Sequence, residues 1–197
     1  MPTIFSHAFF ASAAGSALAP ARFRLRFLIL TCLCAVLPDV DVVAFSFGIN
    51  YGSIFGHRGI THSILFSIVV GCLVAVFCFG RAEVSRLKLA AYFSGVTLSH
   101  PLLDMLTDGG LGVALLAPFS DQRFFFPWRP VRVSPIGTGF FSEQGVAVML
   151  SELLFIWVPG IVVGGVLWAV VGRRGDNKDG NQQHEEETLP KSSENVL

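Results

Sequence analysis

Two long apolar stretches constrain the fold of this chain more than any other feature. Ser63 to Gly80 contains no charged residue, and Val146 to Val171 contains only Glu152. A helix needs about 20 mostly apolar residues to cross a bilayer, so both stretches are long enough to span one. Leu87 to Leu106 is of similar length, although it includes ionisable residues near its end. We therefore expect helices that cross a membrane.

Two further apolar segments precede these, Thr3 to Ala19 and Phe27 to Leu37. With 52% hydrophobic and 14% charged residues, the chain is more apolar than ordinary soluble domains. The expected fold is all-α: a polytopic membrane bundle of about five hydrophobic helices over residues 1–172. Residues 173–197 have almost no large apolar side chain and are expected to form a disordered polar tail. A cleavable signal peptide is the alternative for the N-terminus, but no positive charge precedes its apolar segment.

Basic residues sort into alternate loops and give an expected orientation. They form three clusters: Arg22, Arg24 and Arg26; Arg81, Arg86 and Lys88; and Arg173, Arg174 and Lys178. If the helices alternate in direction, all three lie on one side, which the positive-inside rule assigns to the cytoplasm. We expect a multi-pass protein of a bacterial inner membrane with its N-terminus outside and its tail in the cytoplasm. A formal net charge of zero argues against a nucleic-acid partner.

Histidines, aspartates and one arginine fall on the opposite side of the expected bundle. They are His7, Asp39 and Asp41 in "LPDVD", His57, Arg58 and His62 in "GHRGITHS", and His100, Asp104 and Asp108 in "SHPLLDMLTDGG". The two sides of the membrane were assigned from the basic loops alone. The convergence of these polar residues on one side is therefore independent of that assignment. The sequence predicts a polar site at the outer helix ends, facing the periplasm.

The spacing within the last motif suggests joint chemistry. His100, Asp104 and Asp108 are four residues apart and are expected to stack on one helical face. Such a pair of His and Asp can share a metal ion, or the Asp can orient a ligating imidazole. The alternative is a hydrogen bond between helices, since polar residues also join membrane helices.

The other two motifs admit similar pairs of interpretations. Thr61 is expected to cap the helix that begins near Ser63, and Arg58 offers a fork suited to phosphate or carboxylate. Binding of lipid headgroups is the alternative role for Arg58. Asp39 and Asp41 follow a helix and can either ligate a metal or cap a turn.

Imidazoles and carboxylates without thiolates favour zinc, manganese or iron, with enough candidates for one or two ions. The four cysteines lie in apolar runs without a C-x-x-C motif. A bound divalent metal would activate water, a free aspartate would act as general base, and Arg58 would stabilise developing negative charge. These roles suit hydrolysis of a phosphoester, ester or amide.

The loop from Ala117 to Gly137 is both aromatic and basic. It is typical of an interfacial belt at the depth of lipid headgroups. Alternatively, it forms a flap that guides an amphiphilic substrate to the metal.

These motifs, together with "LLAPFS" and "FFPWRPVRVSPIG", resemble the YdjM-like predicted membrane-bound metal-dependent hydrolases of the bacterial inner membrane. The similarity runs in order over about residues 1–140. It implies a metal site built from His7, Asp39, Asp41, His57, His62, His100 and Asp104, with Arg58 and Asp108 nearby. We assign His7, Asp39, His57, His62, His100 and Asp104 as metal ligands and give catalytic roles to Asp41, Arg58 and Asp108. Zinc or manganese is the expected ion, and a lipid-linked or otherwise membrane-near molecule is the expected substrate.

Two other functions remain open at this stage. A transporter would place its polar groups near the bilayer midplane, often between internal repeats, and neither feature is visible here. A non-enzymatic protein with a structural metal would close the site with four ligands. The surplus of candidate ligands favours catalysis over a structural role.

Overall fold

A computed structural model of the chain describes residues 1–80, 84–135 and 140–171. Within these residues there are five helices and no strand: α1 Ile4–Leu18, α2 Arg24–Val36, α3 Ile64–Leu73, α4 Arg86–Asp104 and α5 Glu143–Glu152. Extended backbone pairs only at isolated bridges, such as Thr107 with Val131. The expected all-helical fold and the number of helices are confirmed. The tail at 173–197 lies outside the described residues.

Two of the helical segments are long and apolar enough to cross a membrane. α2 continues on both sides in 3₁₀ turns, so that the helical segment covers Ala21–Phe47, 27 residues. α5 continues through a π turn and covers Glu143–Val171, 29 residues. α1 and the Ile64–Cys78 segment that contains α3 are shorter apolar helices. A bundle in which all five helices cross the bilayer stays a prediction.

An aromatic core joins α2, α3 and α4. Phe93 on α4 is fully buried, and its ring centroid lies 5.4 Å from that of Phe27 and 5.6 Å from that of Phe79. α3 and α4 approach closely at Gly71, where an added Cβ would lie 2.1 Å from Ser94 Oγ. Close packing of this kind fixes the relative positions of the helix ends that carry the polar motifs.

The start of α3 differs from the expected one. Ser63, not Thr61, is the N-cap: its hydroxyl accepts a 3.0 Å hydrogen bond from the Phe66 amide. A short 3₁₀ turn over Ile60–His62 precedes α3, so the helix begins later than the sequence suggested. The Thr61 hydroxyl instead donates a 2.6 Å hydrogen bond to Asp41.

Glu152 fixes α5 to the start of α1. Its buried carboxylate accepts hydrogen bonds from the Thr3 amide and hydroxyl, both at 2.6 Å, and from the Ser6 hydroxyl at 2.5 Å. The indole Nε1 of Trp157 also donates to Ser6 Oγ, at 2.7 Å. Because Ser6 adjoins His7 in the first turn of α1, this network sets the position of the first polar motif.

Replacing Glu152 by alanine removes the acceptor for three buried donors. We expect Glu152→Ala to lower the free energy of unfolding by about 1–3 kcal/mol, since buried donors left unpaired carry their full desolvation cost. Thermal unfolding in detergent, followed by circular dichroism, measures the change. Glu143→Ala is the matched control, because Glu143 is exposed in the first turn of the same helix. Equal effects of the two substitutions would contradict the anchoring role.

Candidate metal centre

Polar residues from four helices meet at one end of the bundle. His7 lies in the first turn of α1, Asp39 follows α2, His62 precedes α3, and His100 and Asp104 lie in the last turns of α4. All five side chains are buried, and we call them the His–Asp cluster. Although up to 97 positions separate its members along the chain, their ring and carboxylate atoms lie close together.

The distances within the cluster match those of a metal coordination sphere. His62 Nε2 and His100 Nε2 are 3.1 Å apart. Asp39 Oδ1 lies 3.3 Å from His100 Nε2, and Asp104 Oδ2 lies 3.4 Å from His62 Nε2. Ligands bonded at about 2.0–2.1 Å to a tetrahedral ion are about 3.3–3.4 Å from one another. One atom from each of these four residues lies within 4.8 Å of the others, so they could hold one ion.

Contacts at the Nδ1 atoms of His62 and His100 turn the Nε2 atoms of both rings toward the centre of the cluster. His100 Nδ1 lies 2.7 Å from the Ala35 carbonyl, which can only accept, so this nitrogen carries the proton. His62 Nδ1 lies 3.1 Å from Asp41 Oδ2, which is likewise an acceptor when ionised. In neutral rings both Nε2 atoms then carry lone pairs, which face each other across 3.1 Å. A cation between them would convert this repulsion into two ligand bonds.

The pKa of His62 also indicates that a positive charge is favourable at this position. Burial alone lowers the pKa of His62, but its close contacts with the negatively charged Asp104 and Asp41 outweigh burial and raise the pKa to about 9. Without a metal ion this ring therefore carries a proton at neutral pH. A divalent cation can supply that positive charge in place of the proton.

The carboxylates of the cluster are poorly paired by protein donors. Both oxygens of Asp39 and both of Asp104 are buried without a hydrogen bond from the described part of the chain, and Asp104 has an ion pair with Arg58, whose Nε lies 3.0 Å from Oδ2. The two ring nitrogens of His7 are likewise buried without a hydrogen-bond partner there, and this ring stacks on His100 at 3.7 Å. Buried carboxylates need a cation or donors to offset their desolvation. The donor set therefore fits a divalent metal.

Asp41 lies behind the cluster and orients two imidazoles. Its Oδ1 is 2.7 Å from His57 Nδ1, and its Oδ2 accepts from the Thr61 hydroxyl and the Arg58 amide in addition to His62. Asp41, His57 and His62 form a second group that could hold an ion. However, these donors already occupy both Asp41 oxygens. The geometry therefore suits an outer carboxylate that positions His62 better than a free base.

Arg58 is fully buried, with an ion pair at Nε and a hydrogen bond at each terminal guanidinium nitrogen. Nε lies 3.0 Å from Asp104 Oδ2, and the two terminal nitrogens donate to the Gly109 carbonyl at 3.1 Å and the Thr107 hydroxyl at 3.0 Å. Its backbone adopts a left-handed φ of 63°, which is uncommon for a residue with a side chain. The structure therefore places the fork against Asp104 and the turn after α4, where it holds a candidate ligand in place.

Asp108 lies apart from the cluster. The expected stacking of Asp108 with His100 and Asp104 is wrong, because α4 ends at Asp104 and the helical face does not continue. Asp108 is exposed, and its Oδ1 accepts a 2.8 Å hydrogen bond from the Val133 amide. It therefore fastens the 131–133 segment to the end of α4.

The aromatic and basic loop, described as far as Pro135, is tied to the loop that contains His57 and Arg58. Arg123 donates to backbone carbonyls of that loop at 3.2–3.5 Å, including those of Ser53 and His57. Several aromatic side chains of the loop are exposed, among them Phe119 and Trp128. This arrangement is compatible with either a membrane belt or a flap beside the site.

Sequence reasoning missed three residues that support the site. Glu152 was the one acidic residue within a long apolar run, and such residues are costly unless they have a role. Thr107 and the Ala35 carbonyl, which hold Arg58 and His100, gave no comparable signal. Their roles depend on contacts between segments far apart in the chain.

The fold and the cluster define an all-helical protein that has membrane-length apolar helices and a buried group of His and Asp able to bind a metal. The family described as YdjM inner membrane protein matches residues 1–175, and the chain belongs to this family. Inner membrane protein YbcI of Escherichia coli strain K12 is 40% identical over 171 residues, which cover 85% of this chain and 98% of YbcI. No solved structure matches the chain. The resemblance inferred from the motifs is confirmed, and inner-membrane localisation is supported.

The contacts of Arg58 predict that lysine cannot replace it. Arg58→Lys keeps the charge but loses the planar fork that contacts Asp104, Thr107 and Gly109 together. We expect the free energy of unfolding to fall by about 1–3 kcal/mol. Arg132→Lys, at an exposed arginine, should change it by less than about 0.5 kcal/mol. Chemical denaturation in detergent compares them, and a stable Arg58→Lys variant would refute the supporting role.

Proposed function

We propose that this inner-membrane protein is a metal-dependent hydrolase that cleaves a phosphoester, ester or amide of a lipid-linked or membrane-near substrate. The observation that carries the proposal is the pair of inward-facing Nε2 atoms, 3.1 Å apart, beside the buried carboxylates of Asp39 and Asp104. The Asp39 carboxylate has no hydrogen-bond partner among the described residues, and a metal ion would offset the cost of its burial. Zinc or manganese suits this mixture of imidazole and carboxylate ligands.

In this proposal some residues bind the metal directly, and others hold those residues in place. His62, His100, Asp39 and Asp104 are the four proposed ligands, and a bound metal would supply an activated water at neutral pH. His7 is the remaining candidate ligand. Neither of its ring nitrogens has a hydrogen-bond partner among the described residues, so a ring lone pair is available to a metal ion.

Four other residues expected at the site take different roles in this proposal. Asp41 contacts His62 through one carboxylate oxygen and His57 through the other. It therefore orients His62, and His57 supports the site without being one of the four proposed ligands. Arg58 fixes Asp104 and lowers the excess of negative charge around the metal. Asp108 shapes the turn after α4 rather than reacting.

We further propose that the cluster faces the periplasm and that the tail after α5 is cytoplasmic. Arg24 and Arg86 begin α2 and α4, whereas the cluster lies where these helices end. Basic residues and the cluster are thus at opposite ends of the same helices. The positive-inside rule assigns the basic ends to the cytoplasm.

A structural metal site is the second candidate function. Four candidate ligands lie close enough together to hold one ion, which is the number that closes a structural zinc site. Transport is less well supported, because the ionisable groups gather at one end of the bundle instead of near its centre. Measuring both hydrolytic activity and metal content distinguishes the hydrolase from the structural metal site.

The decisive experiment measures metal content and hydrolysis on the same purified protein. We expect about one tightly bound zinc or manganese per chain. The protein should hydrolyse bis-p-nitrophenyl phosphate or a p-nitrophenyl ester, lose this activity after chelation, and regain it with the metal. Asp39→Asn should lose both metal and activity because a carboxylate ligand is replaced.

Asp121→Asn is the matched control, since Asp121 is an exposed aspartate of the outer loop. It should retain both properties. Unchanged metal content in Asp39→Asn would remove the metal site from the account. A retained metal without hydrolysis of any of these compounds would favour the structural role.

A further inference from the structure

An apolar groove opens directly beside the His–Asp cluster. It is a cavity of about 370 Å³ between the start of α1, the segment after α2 and the segment before α5. Apolar side chains form most of its wall, and they include Ile4, Phe5, Val42, Phe140 and Phe141. We call it the lipid groove, because its surroundings point to a hydrocarbon occupant.

The inner end of the groove reaches the candidate metal centre. Asp39 contributes to its wall, and Oδ1 of the same carboxylate lies 3.3 Å from His100 Nε2. A molecule in the groove would therefore end within contact distance of a proposed metal ligand. No other ionisable side chain among the described residues lines this cavity.

The outer end of the groove continues into apolar surface. Phe5 is 67% exposed and Phe141 87% exposed, and neighbouring residues of α5, Val146 and Leu150, are also exposed. A continuous apolar surface of this kind is disfavoured in water. In a protein of the inner membrane it contacts lipid, so the groove is continuous with the surface that already faces hydrocarbon chains.

We propose that the lipid groove binds one hydrocarbon chain of a bilayer lipid and places the lipid's ester or phosphoester linkage at Asp39. The cleavage step rests on the proposed hydrolase function, whereas the binding step does not. Hydrolysis of that linkage consumes one water: its hydroxyl joins the acyl carbon or the phosphorus, and its proton goes to the departing oxygen. The substrate class is thereby a membrane lipid that enters sideways from the bilayer.

The chemistry of the wall favours a lipid chain over a peptide. An extended peptide needs donors and acceptors for its backbone, but the Thr3 hydroxyl in the wall already donates to Glu152. A hydrocarbon chain needs only apolar contact. The volume lies near the lower end of the range for ligand pockets, about 300–1,000 Å³, which suits part of one chain rather than a whole lipid.

Photolabelling tests the binding step without requiring catalysis. The probe is a phosphatidylglycerol that carries a diazirine on one acyl chain, added in trace amounts to protein in detergent so that non-specific lipid contacts are diluted. Labelled peptides are mapped by mass spectrometry. We expect labelling of peptides that contain Val42 or Phe140, and unlabelled phosphatidylglycerol should compete it away.

Two matched substitutions distinguish the groove from other lipid-facing surface. Ile4→Trp fills the groove and should reduce its labelling about tenfold. Ile161→Trp, at a residue 60% exposed far along the last helix, should leave it unchanged. Circular dichroism spectra and thermal unfolding in detergent equal to those of the wild type show that both variants fold.

The outcomes separate this inference from the hydrolase proposal. Labelling that is not saturable, or that resists Ile4→Trp, overturns the lipid groove even if the protein hydrolyses soluble p-nitrophenyl compounds. Saturable labelling in the groove that Ile4→Trp removes supports lipid binding, even if no hydrolysis is found. Loss of hydrolysis of a lipid ester in Ile4→Trp, with hydrolysis of a soluble ester retained, supports both steps.

Discussion

Mutual repulsion among buried acceptors is the constraint on which this structure depends. Two imidazole lone pairs and two carboxylates lie within 4.8 Å of one another. Protonation of His62 relieves part of the repulsion, as its pKa of about 9 indicates. A divalent cation would relieve more, because it could bond to all four acceptors at once. The fold thus holds a group of residues whose separate burial would be unfavourable.

Each member of the cluster is fixed by contacts on its outer side. The Ala35 carbonyl orients His100, Asp41 orients His62, and Arg58 holds Asp104. His7 is positioned more indirectly, through the hydrogen bonds from Thr3 and Ser6 to Glu152 on α5. These contacts keep the candidate ligand atoms aimed inward, as residues around a metal's immediate ligands usually do. It also explains why so many polar groups are buried in an otherwise apolar bundle.

Much of this arrangement could be predicted from the sequence, because it depends on length and periodicity. Apolar runs gave the five helices, and alternation of helix direction brought His7, Asp39, His62, His100 and Asp104 to one end. Details that depend on where a helix ends could not be obtained in this way. Asp108 was placed on the face of His100 because four-residue spacing was continued past Asp104, where the helix stops. Thr61 looked like a cap, but an intervening 3₁₀ turn gave that role to Ser63.

Long-range contacts account for the remaining differences between expectation and structure. The fork of Arg58 was available in principle to a substrate, and only the folded turn after α4 shows that Asp104, Thr107 and Gly109 occupy it.

X-ray absorption spectroscopy of the zinc-loaded protein tests the central claim most directly. The account predicts only nitrogen and oxygen neighbours at about 2.0–2.1 Å, with the multiple-scattering pattern of at least two imidazoles. A spectrum with sulfur neighbours, or one of zinc surrounded by water alone, would contradict it.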